Sequence, residues 1–453
     1  MMSGYIPNTE ADRRRMLELI GVEDITTLFE QIPSELKLRR PLGLPGPMSE
    51  VELIKHVTDL SERNADLNRY ACFLGAGLYD HHIPSTVAAV LERSEFYTAY
   101  TPYQPELSQG NLQATFEFQT LICLLTAMEV ANASMYDGAT ALAEAAVMCS
   151  SITGRSEWLI SNCVHPGYRE VLKTYARACG CQVVDTGRSG ILTDIPRFSQ
   201  RIGSDTACVI IQHPNFFGAL ESALDIGKLA HNSGALYVVI FDPISLGLLK
   251  PPGELNADIC VAEGQSLGMP LNYGGPLLGL FACREKFIRH MPGRLVGATT
   301  DTCGRRGYVL TLQTREQHIR RERATSNICT NEALCALAAT VYLSTLGRKG
   351  LREVANLCLQ KAHYAAKELT KLPGYEMPFE GRFFKEFVVR VPTPISEINK
   401  HLLTKRIIGG LDLGEFYPDL ENHMLICVTE RRTTCEIHAL IEGLKNEIGA
   451  SYL

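Results

Sequence analysis

The chain is predicted to be an α/β protein with a mostly parallel sheet, an extended amino-terminal arm and a smaller carboxy-terminal α/β domain. Three observations support this. Short apolar runs alternate with helical segments between Trp158 and Phe241, the pattern of strands buried on both faces by crossover helices. Two further runs, Tyr237–Phe241 and Asp258–Ala262, lead into Asp242 and Gln265, as strands do when they deliver side chains to a cleft. At 453 residues, the chain is also longer than one compact core accommodates.

Residues 1–70 form the expected arm and first helices. Asp12 to Ile20 fits one helix, and Pro33, Pro41, Pro45 and Pro47 then keep the chain irregular. Such a segment forms no core of its own and is expected to wrap a partner or the main domain. Ser49 and Glu52 form a capping box, and Val51, Ile54, Val57 and Leu60 continue an apolar helical face.

Residues 71–339 are expected to form the large domain. Ala71 to Gln113 is rich in Gly and Pro, with a helix near Ser85–Leu91 and another starting at Ser108 or Asn111. Tyr97, Tyr100 and Tyr103 taken singly suit packing, but the loop also holds Thr101, Gln104, Glu106, Ser108 and Gln109. Loops carry polar function more often than cores do. Gly138-Ala139-Thr140 opens an Ala-rich helix after a strand, a weak signal for an anion site. Alternation continues through strands at Trp158–Cys163, Gln182–Thr186 and Cys208–Gln212, with helices at Tyr168–Cys179 and Ile226–Asn232. His213, just past a strand end, is a ligand contact or, more often at such positions, structural.

Gln313 to Ser326 concentrates Arg315, Arg320, Arg321 and Arg323 beside His318, Thr325 and Ser326, with Glu316 and Glu322 the acids among them. Arginine forks suit carboxylates, phosphates or an interface. Helices at Asn331–Tyr342 and Leu351–Leu369 follow. Strands near Phe387, Gly409 and Leu425 and a last helix at Cys435–Ile448 complete a small domain over residues 340–453.

Composition excludes several classes. The chain is 45% hydrophobic and 21% charged, with a net charge of −6, so nothing favours nucleic acid or an anionic membrane. No apolar stretch approaches membrane-spanning length, and the amino terminus has no apolar leader core. The fifteen cysteines are scattered, with Cys179 and Cys181 the one close pair. No metal-binding spacing occurs, so free thiols in a reducing cytoplasm are expected and no metal.

Tyr237 to Gly279 resembles the heart of a pyridoxal phosphate (PLP) enzyme of the aspartate-aminotransferase fold, in which the first strand supplies an Asp for the pyridine nitrogen and the second a lysine that holds the cofactor. Asp242 is present, but no lysine lies from Pro251 to Arg284. Longer stretches resemble the glycine-cleavage-system P-protein family: YTPYQPELSQG, KPPGELNADI, GMPLNYGGP, MPGRLVG and LQTREQHIRRERATSNICTN. The length matches the amino-terminal-type subunit of the form split into two chains. The family's PLP-bearing half has a His-Lys pair five residues before a proline, and an ungapped count from Pro270 puts Gly264 and Gln265 there. Gln265 has no nucleophilic amine, so Asp242, Gln265 and Thr140 become a degenerate cofactor site.

The resemblance implies that PLP is held by the partner, glycine dehydrogenase subunit 2. The pair would decarboxylate glycine and pass the aminomethyl group to the lipoyl arm of H-protein. It also implies that this chain offers residues to the partner's cleft: Tyr100, Thr101, Tyr103, Gln104, Glu106, Ser108 and Gln109 from one loop, with Arg315, His318 and Arg320 from the other. Thr325 or Ser326 would reach the PLP phosphate in trans. Two alternatives stand beside this: a self-sufficient PLP enzyme such as an aminotransferase using Lys250 or Lys286, and a purely structural scaffold.

Overall fold

The computed structural model describes residues 7–450, with side-chain surroundings through residue 445. The first six residues, part of the stretch expected to lack a leader core, and residues 451–453, part of the expected small domain, lie outside it. The chain forms two compact units, one ending at Asn64 and the other beginning at Ala65.

The first unit contains α1 (Glu10–Ile20) and α2 (Glu50–Ser61). The Ser49 hydroxyl accepts from Glu52 N, and the Glu52 carboxylate accepts from Ser49 N at 2.9 Å, which closes the expected capping box. Neither helix buries a side chain, and Leu19, Leu36, Leu44 and Val51 are each more than 70% exposed.

The second unit is built on seven strands. They are β1 (Val130–Ala131), β2 (Glu157–Ile160), β3 (Gln182–Asp185), β4 (Thr206–His213), β5 (Leu236–Phe241), β6 (Ile259–Glu263) and β7 (Gly279–Cys283), in spatial order β1-β7-β6-β5-β4-β2-β3. The ladders from β3 to β6 are parallel. The strand β7, which the alternation did not suggest, pairs antiparallel with β6 and β1.

Period-two alternation assigns the faces. Ile210, Val238, Ile240 and Val261 join a core with Trp158 and the helix α3 (Gly138–Thr153), while Val209, Ile211, Tyr237 and Val239 join another with Phe198 and Ile226. Covering helices on both faces explain why the strands read as continuous apolar runs. Asp242, Glu263 and His213 thus lie at carboxyl ends of neighbouring strands, where open α/β sheets form their crevice.

The two helices expected at Asn331–Tyr342 and Leu351–Leu369 lie within α4 (Ala333–Leu369), two helical stretches that meet at a kink where Gly347 takes φ 57° and ψ −175°. A carboxy-terminal core gathers Ala362, Leu369, Phe387, Val389, Ile398, Ile426 and Leu440, and Phe73 joins it from far earlier in the chain. Its sheet comprises β8 (Glu386–Arg390), β9 (Leu411–Asp412) and β10 (His423–Cys427), all antiparallel. Ala71–Cys72, expected to open the large domain, pairs in parallel with Ile407–Ile408.

Gly218 approaches this sheet closely. Its φ is +82°, and an added Cβ would stand 2.0 Å from the Glu386 carbonyl oxygen. Gly218→Ala is therefore expected to destabilise the protein by roughly 2–4 kcal/mol, measured as a lower urea midpoint at unchanged slope.

Candidate functional site

The crevice at the strand ends is already filled by side chains. Asp242 Oδ1 accepts from Ile244 N at 2.9 Å, and Oδ2 lies 2.7 Å from Lys385 Nζ. Lys385 enters from just before β8 and is 1% exposed. Burial is the largest single effect and would lower its pKa, but the Asp242 carboxylate together with Cys427 and Cys358 raises it overall. The ammonium stands 3.4 Å from the Tyr79 ring centroid and 3.1 Å from His81 Nε2.

The Lys385 contact fixes the His81 tautomer. An ammonium only donates, so Nε2 accepts and the proton sits on Nδ1, which faces Glu430 Oε2 at 2.6 Å. Burial would raise the Glu430 carboxyl pKa, but the hydrogen bonds from His81 and the His82 N–H bring it below its ordinary value. Cys358 Sγ lies 3.4 Å from the same carboxylate. His81, Cys358 and Glu430 are close enough to share a cation, yet the facing His81 and Glu430 atoms are already hydrogen-bonded to each other.

A second carboxylate closes the other side. Glu263, the last residue of β6, accepts at Oε2 from Gly138 N at 3.0 Å, and at Oε1 from Gln265 N at 3.0 Å and Leu278 N at 2.9 Å. Burial pushes its carboxyl up to about 7, against the lowering effect of those donors. Gly138 is the first residue of α3. The Thr140 hydroxyl is engaged with Asp137 in a capping box and is not turned to an anion.

Gln265, 2% exposed, accepts from Tyr79 N at 2.9 Å and donates to Tyr79 O at 3.1 Å and Met269 O at 2.7 Å. It thereby clamps the Tyr79 backbone. The Tyr79 hydroxyl donates to Glu386 at 2.8 Å, and Ala76 N donates to the other Glu386 oxygen at 2.6 Å. Burial pushes Glu386 up to about 7 as well.

The space left between Asp242, Glu263, Lys385, His165 and Tyr168 is about 30 Å³, enough for one or two waters. His165 Nδ1 accepts from Gly167 N and Nε2 donates to Ala76 O, so the ring is held by backbone groups. His213 Nδ1 accepts from Glu221 N at 3.1 Å, and burial lowers its pKa to about 4, which gives it a structural role. Lys250 is exposed, and Lys286 projects toward Asp258 at 3.7 Å with most of its side chain in solvent; neither lines this space.

The polar segments form a second face. Gln109 ties its loop to the hairpin β-strands Leu295–Thr300 and Arg306–Thr311, donating to Tyr308 O and accepting from Tyr308 N, both at 2.8 Å. A cavity of about 90 Å³ is lined by Tyr97, Tyr100, Pro102, Arg294 and Asn331. Tyr100 is 85% exposed and Tyr103 70%. Gln104, Glu106, His318 and Arg320 are exposed, and Thr101, Ser108, Thr325 and Ser326 half-buried. Ser326 accepts from Ile328 N at 3.2 Å and also bonds the buried Glu144 carboxyl.

Two further members of this group have work inside the chain. Gln109 holds the hairpin, and all three Arg315 nitrogens meet backbone carbonyls, those of Met291, Gly293 (2.9 Å) and Leu312 (3.1 Å). The fork expected to face a ligand instead staples the chain. Arg294, not singled out in the sequence, holds Cys329 O, Thr330 and Asn331.

Sequence reading also missed Lys385 and Glu263. Each is a charged residue at the edge of an apolar strand run, FFKEFVVR and ICVAEG. A charge placed there demands a buried partner, which was the available signal.

The fold and crevice define the class: an α/β chain of the PLP-dependent fold-type-I architecture. Structural similarity extends to a sphingosine-1-phosphate lyase of Burkholderia pseudomallei (TM-score 0.67, 14% identity, 92% of this chain and 96% of that one) and the Escherichia coli cysteine desulfurase CsdA (0.63, 13%, 85% and 96%). These likenesses show the fold alone.

A family model described as Glycine cleavage system P-protein matches residues 3–444, and the chain belongs to that family. A crystal structure of glycine decarboxylase (P-protein) of the glycine cleavage system, in inhibitor-bound form, matches with TM-score 0.89 and 43% identity over 98% of this chain and all of that one. A relative from Desulforamulus reducens, named probable glycine dehydrogenase (decarboxylating) subunit 1, is 55% identical over 97% of this chain and 99% of its own length. One of the same name from Geobacillus kaustophilus is 53% identical over 99% of each.

The residues present do not fit PLP. The Asp242 carboxylate is bonded to Lys385, the head of α3 is bonded to Glu263, and 30 Å³ is far below the roughly 300 Å³ or more of ordinary small-molecule sites.

Two outcomes follow from the buried charges. Lys385→Met leaves Asp242 uncompensated and is expected to cost about 3–5 kcal/mol of stability, with most of it recovered in Lys385→Met/Asp242→Leu; urea titration of wild type and the two variants measures this. Glu263 and Glu386 hold their protons in the folded chain up to a pH of about 7, above the ordinary carboxyl value of 4.5. The folded state therefore binds more protons than the unfolded one between these values, and stability should fall as pH rises from 5 to 8. Glu386→Gln should make that fall shallower in thermal melts across the range.

Proposed function

We propose that this chain is subunit 1 of a two-chain glycine dehydrogenase (decarboxylating), inactive alone and working with a PLP-bearing subunit 2. The complex decarboxylates glycine and transfers the aminomethyl group to the lipoyl arm of H-protein. One observation carries this reading. The charged groups at the strand ends are already paired internally, in a chain matching over nearly its full length relatives named as one subunit of that enzyme. Gln265 stands where a cofactor-holding lysine would be, and it is committed to three backbone hydrogen bonds.

The contribution of this chain to catalysis comes from its other face. Exposed Tyr100, Tyr103 and Arg320 enter a neighbour's cleft, with His318, which lies 3.7 Å from Glu316, beside them and Thr101, Gln104, Glu106 and Ser108 lining the approach. In this reading Thr325 offers its hydroxyl to the partner's cofactor phosphate, and Ser326 does so only by exchanging its contacts with Ile328 N and the Glu144 carboxyl. Gln109 and Arg315 position this face from within. The exposed apolar side chains of residues 7–64 support contact between that arm and a partner chain. A division near residue 340 is supported by the separate core around Phe387 and Ile426. Among the described residues no helix is long and apolar enough to cross a membrane, and the free cysteines suit the cytoplasm.

The test is glycine-dependent exchange of labelled carbon dioxide by the reconstituted pair. Tyr100→Ala/Arg320→Ala is expected to lower exchange at least about tenfold with the melting temperature of this chain unchanged. Unchanged exchange would leave a scaffold without site residues; exchange by this chain alone would return the self-sufficient alternative.

A further inference from the structure

We infer that this chain carries its own replacements for the two charged ends of a phosphorylated pyridine cofactor: the Lys385 ammonium in place of a protonated ring nitrogen on Asp242, and the Glu263 carboxylate in place of a phosphate at the head of α3. These residues, beyond the lack of a lysine at position 265, determine that the chain excludes PLP. The inference rests on the proposal above that the working cofactor belongs to the partner.

The cationic end follows from the cost of a buried charge. Asp242 is mostly buried at the end of β5, and a carboxylate there needs a cation. Lys385 supplies one at 2.7 Å from outside the seven-stranded sheet, with the Tyr79 ring beneath it. The stem and ammonium occupy the volume next to Asp242 that a ring would need.

The anionic end is equally built. Gly138 N, Gln265 N and Leu278 N come from three separate segments and converge on one carboxylate. Convergent backbone N–H groups at a helix start make an anion site, and here the Glu263 carboxyl, anionic above a pH of about 7, occupies it. Gly138 cannot be larger, since an added Cβ would lie 2.2 Å from the Tyr168 hydroxyl and 2.7 Å from Glu263 N. Both replacements border the same 30 Å³ space. A chain without the cofactor but with Asp242 and these N–H groups retained would bury unmatched charge and unmatched donors. Lys385 and Glu263 match both.

PLP itself is the probe, added to the full-length chain, with binding read from the visible aldimine band and from borohydride-stable labelling located by mass spectrometry. Wild type should bind none at the crevice; specific binding there would sink the placement of the cofactor on the partner. Gln265→Lys alone should also stay unlabelled at position 265, and labelling equal to that of a fully opened variant would overturn the inference. Gln265→Lys/Glu263→Ala/Lys385→Ala should take up PLP at least about tenfold more tightly than Gln265→Lys, and failure to do so in a folded protein would also overturn it. If the triple variant does not fold, Glu263→Ala with inorganic phosphate decides. Phosphate should raise its melting temperature by about 2 °C or more and leave wild type unmoved, whereas no difference between the two would contradict a vacated anion site.

Discussion

The buried pair between Asp242 and Lys385 is the contact on which the crevice depends. It joins the carboxyl end of a central parallel strand to the edge of the carboxy-terminal sheet, across a gap that open α/β folds use for ligands. Once the ammonium is there, neighbouring groups fall into order. Tyr79 lies beneath it, His81 accepts from it, and the His81 proton is directed to Glu430. Glu386, the next residue, binds Ala76 and Tyr79. Buried ion pairs are poor evidence for net stability, because an apolar pair could pack as well. They are good evidence for specification, since each half is strongly unfavourable without the other.

The two faces of the molecule follow different physical rules. At the crevice, donors and acceptors are matched internally and the remaining volume suits water. On the face formed by the Tyr97–Gln109 loop, the hairpin and the arginine segment, large aromatic and cationic side chains stand in solvent with little to hold them. Tyr offers a large contact area at low conformational cost, and Arg is enriched at interface hot spots, which suits them to burial by another protein. The rigid elements beneath, including the Arg315 and Arg294 staples and the Gln109 clamp, hold that face in place. A site that uses a neighbour's residues needs such support, because small displacements are costly in catalysis.

Local order was legible in the sequence. The continuous apolar runs of β4, β5 and β6 and the capping box at Ser49 identified their elements, because each signal comes from residues within one segment. Strand β7 was not, since it adds antiparallel to β6 and β1 outside the strand–helix alternation, and the polar hairpin strands after it carry no apolar run. The same division holds at the site. Asp242 was recognisable because its strand and charge adjoin. Lys385 lies 143 positions away, and only the fold brings the two together. Arg315 was read as a ligand fork from its composition, but it found carbonyls of its own chain first.

The central claim is that the chemistry of the complex takes place in the other chain, with this one filling its own crevice. Borohydride reduction of the reconstituted two-chain complex, followed by mass spectrometry of the separated chains, tests it most directly. The expected result is a pyridoxyl adduct on a lysine of the partner and none on this chain. An adduct on Lys385, or on any lysine of this chain at comparable yield, would contradict it.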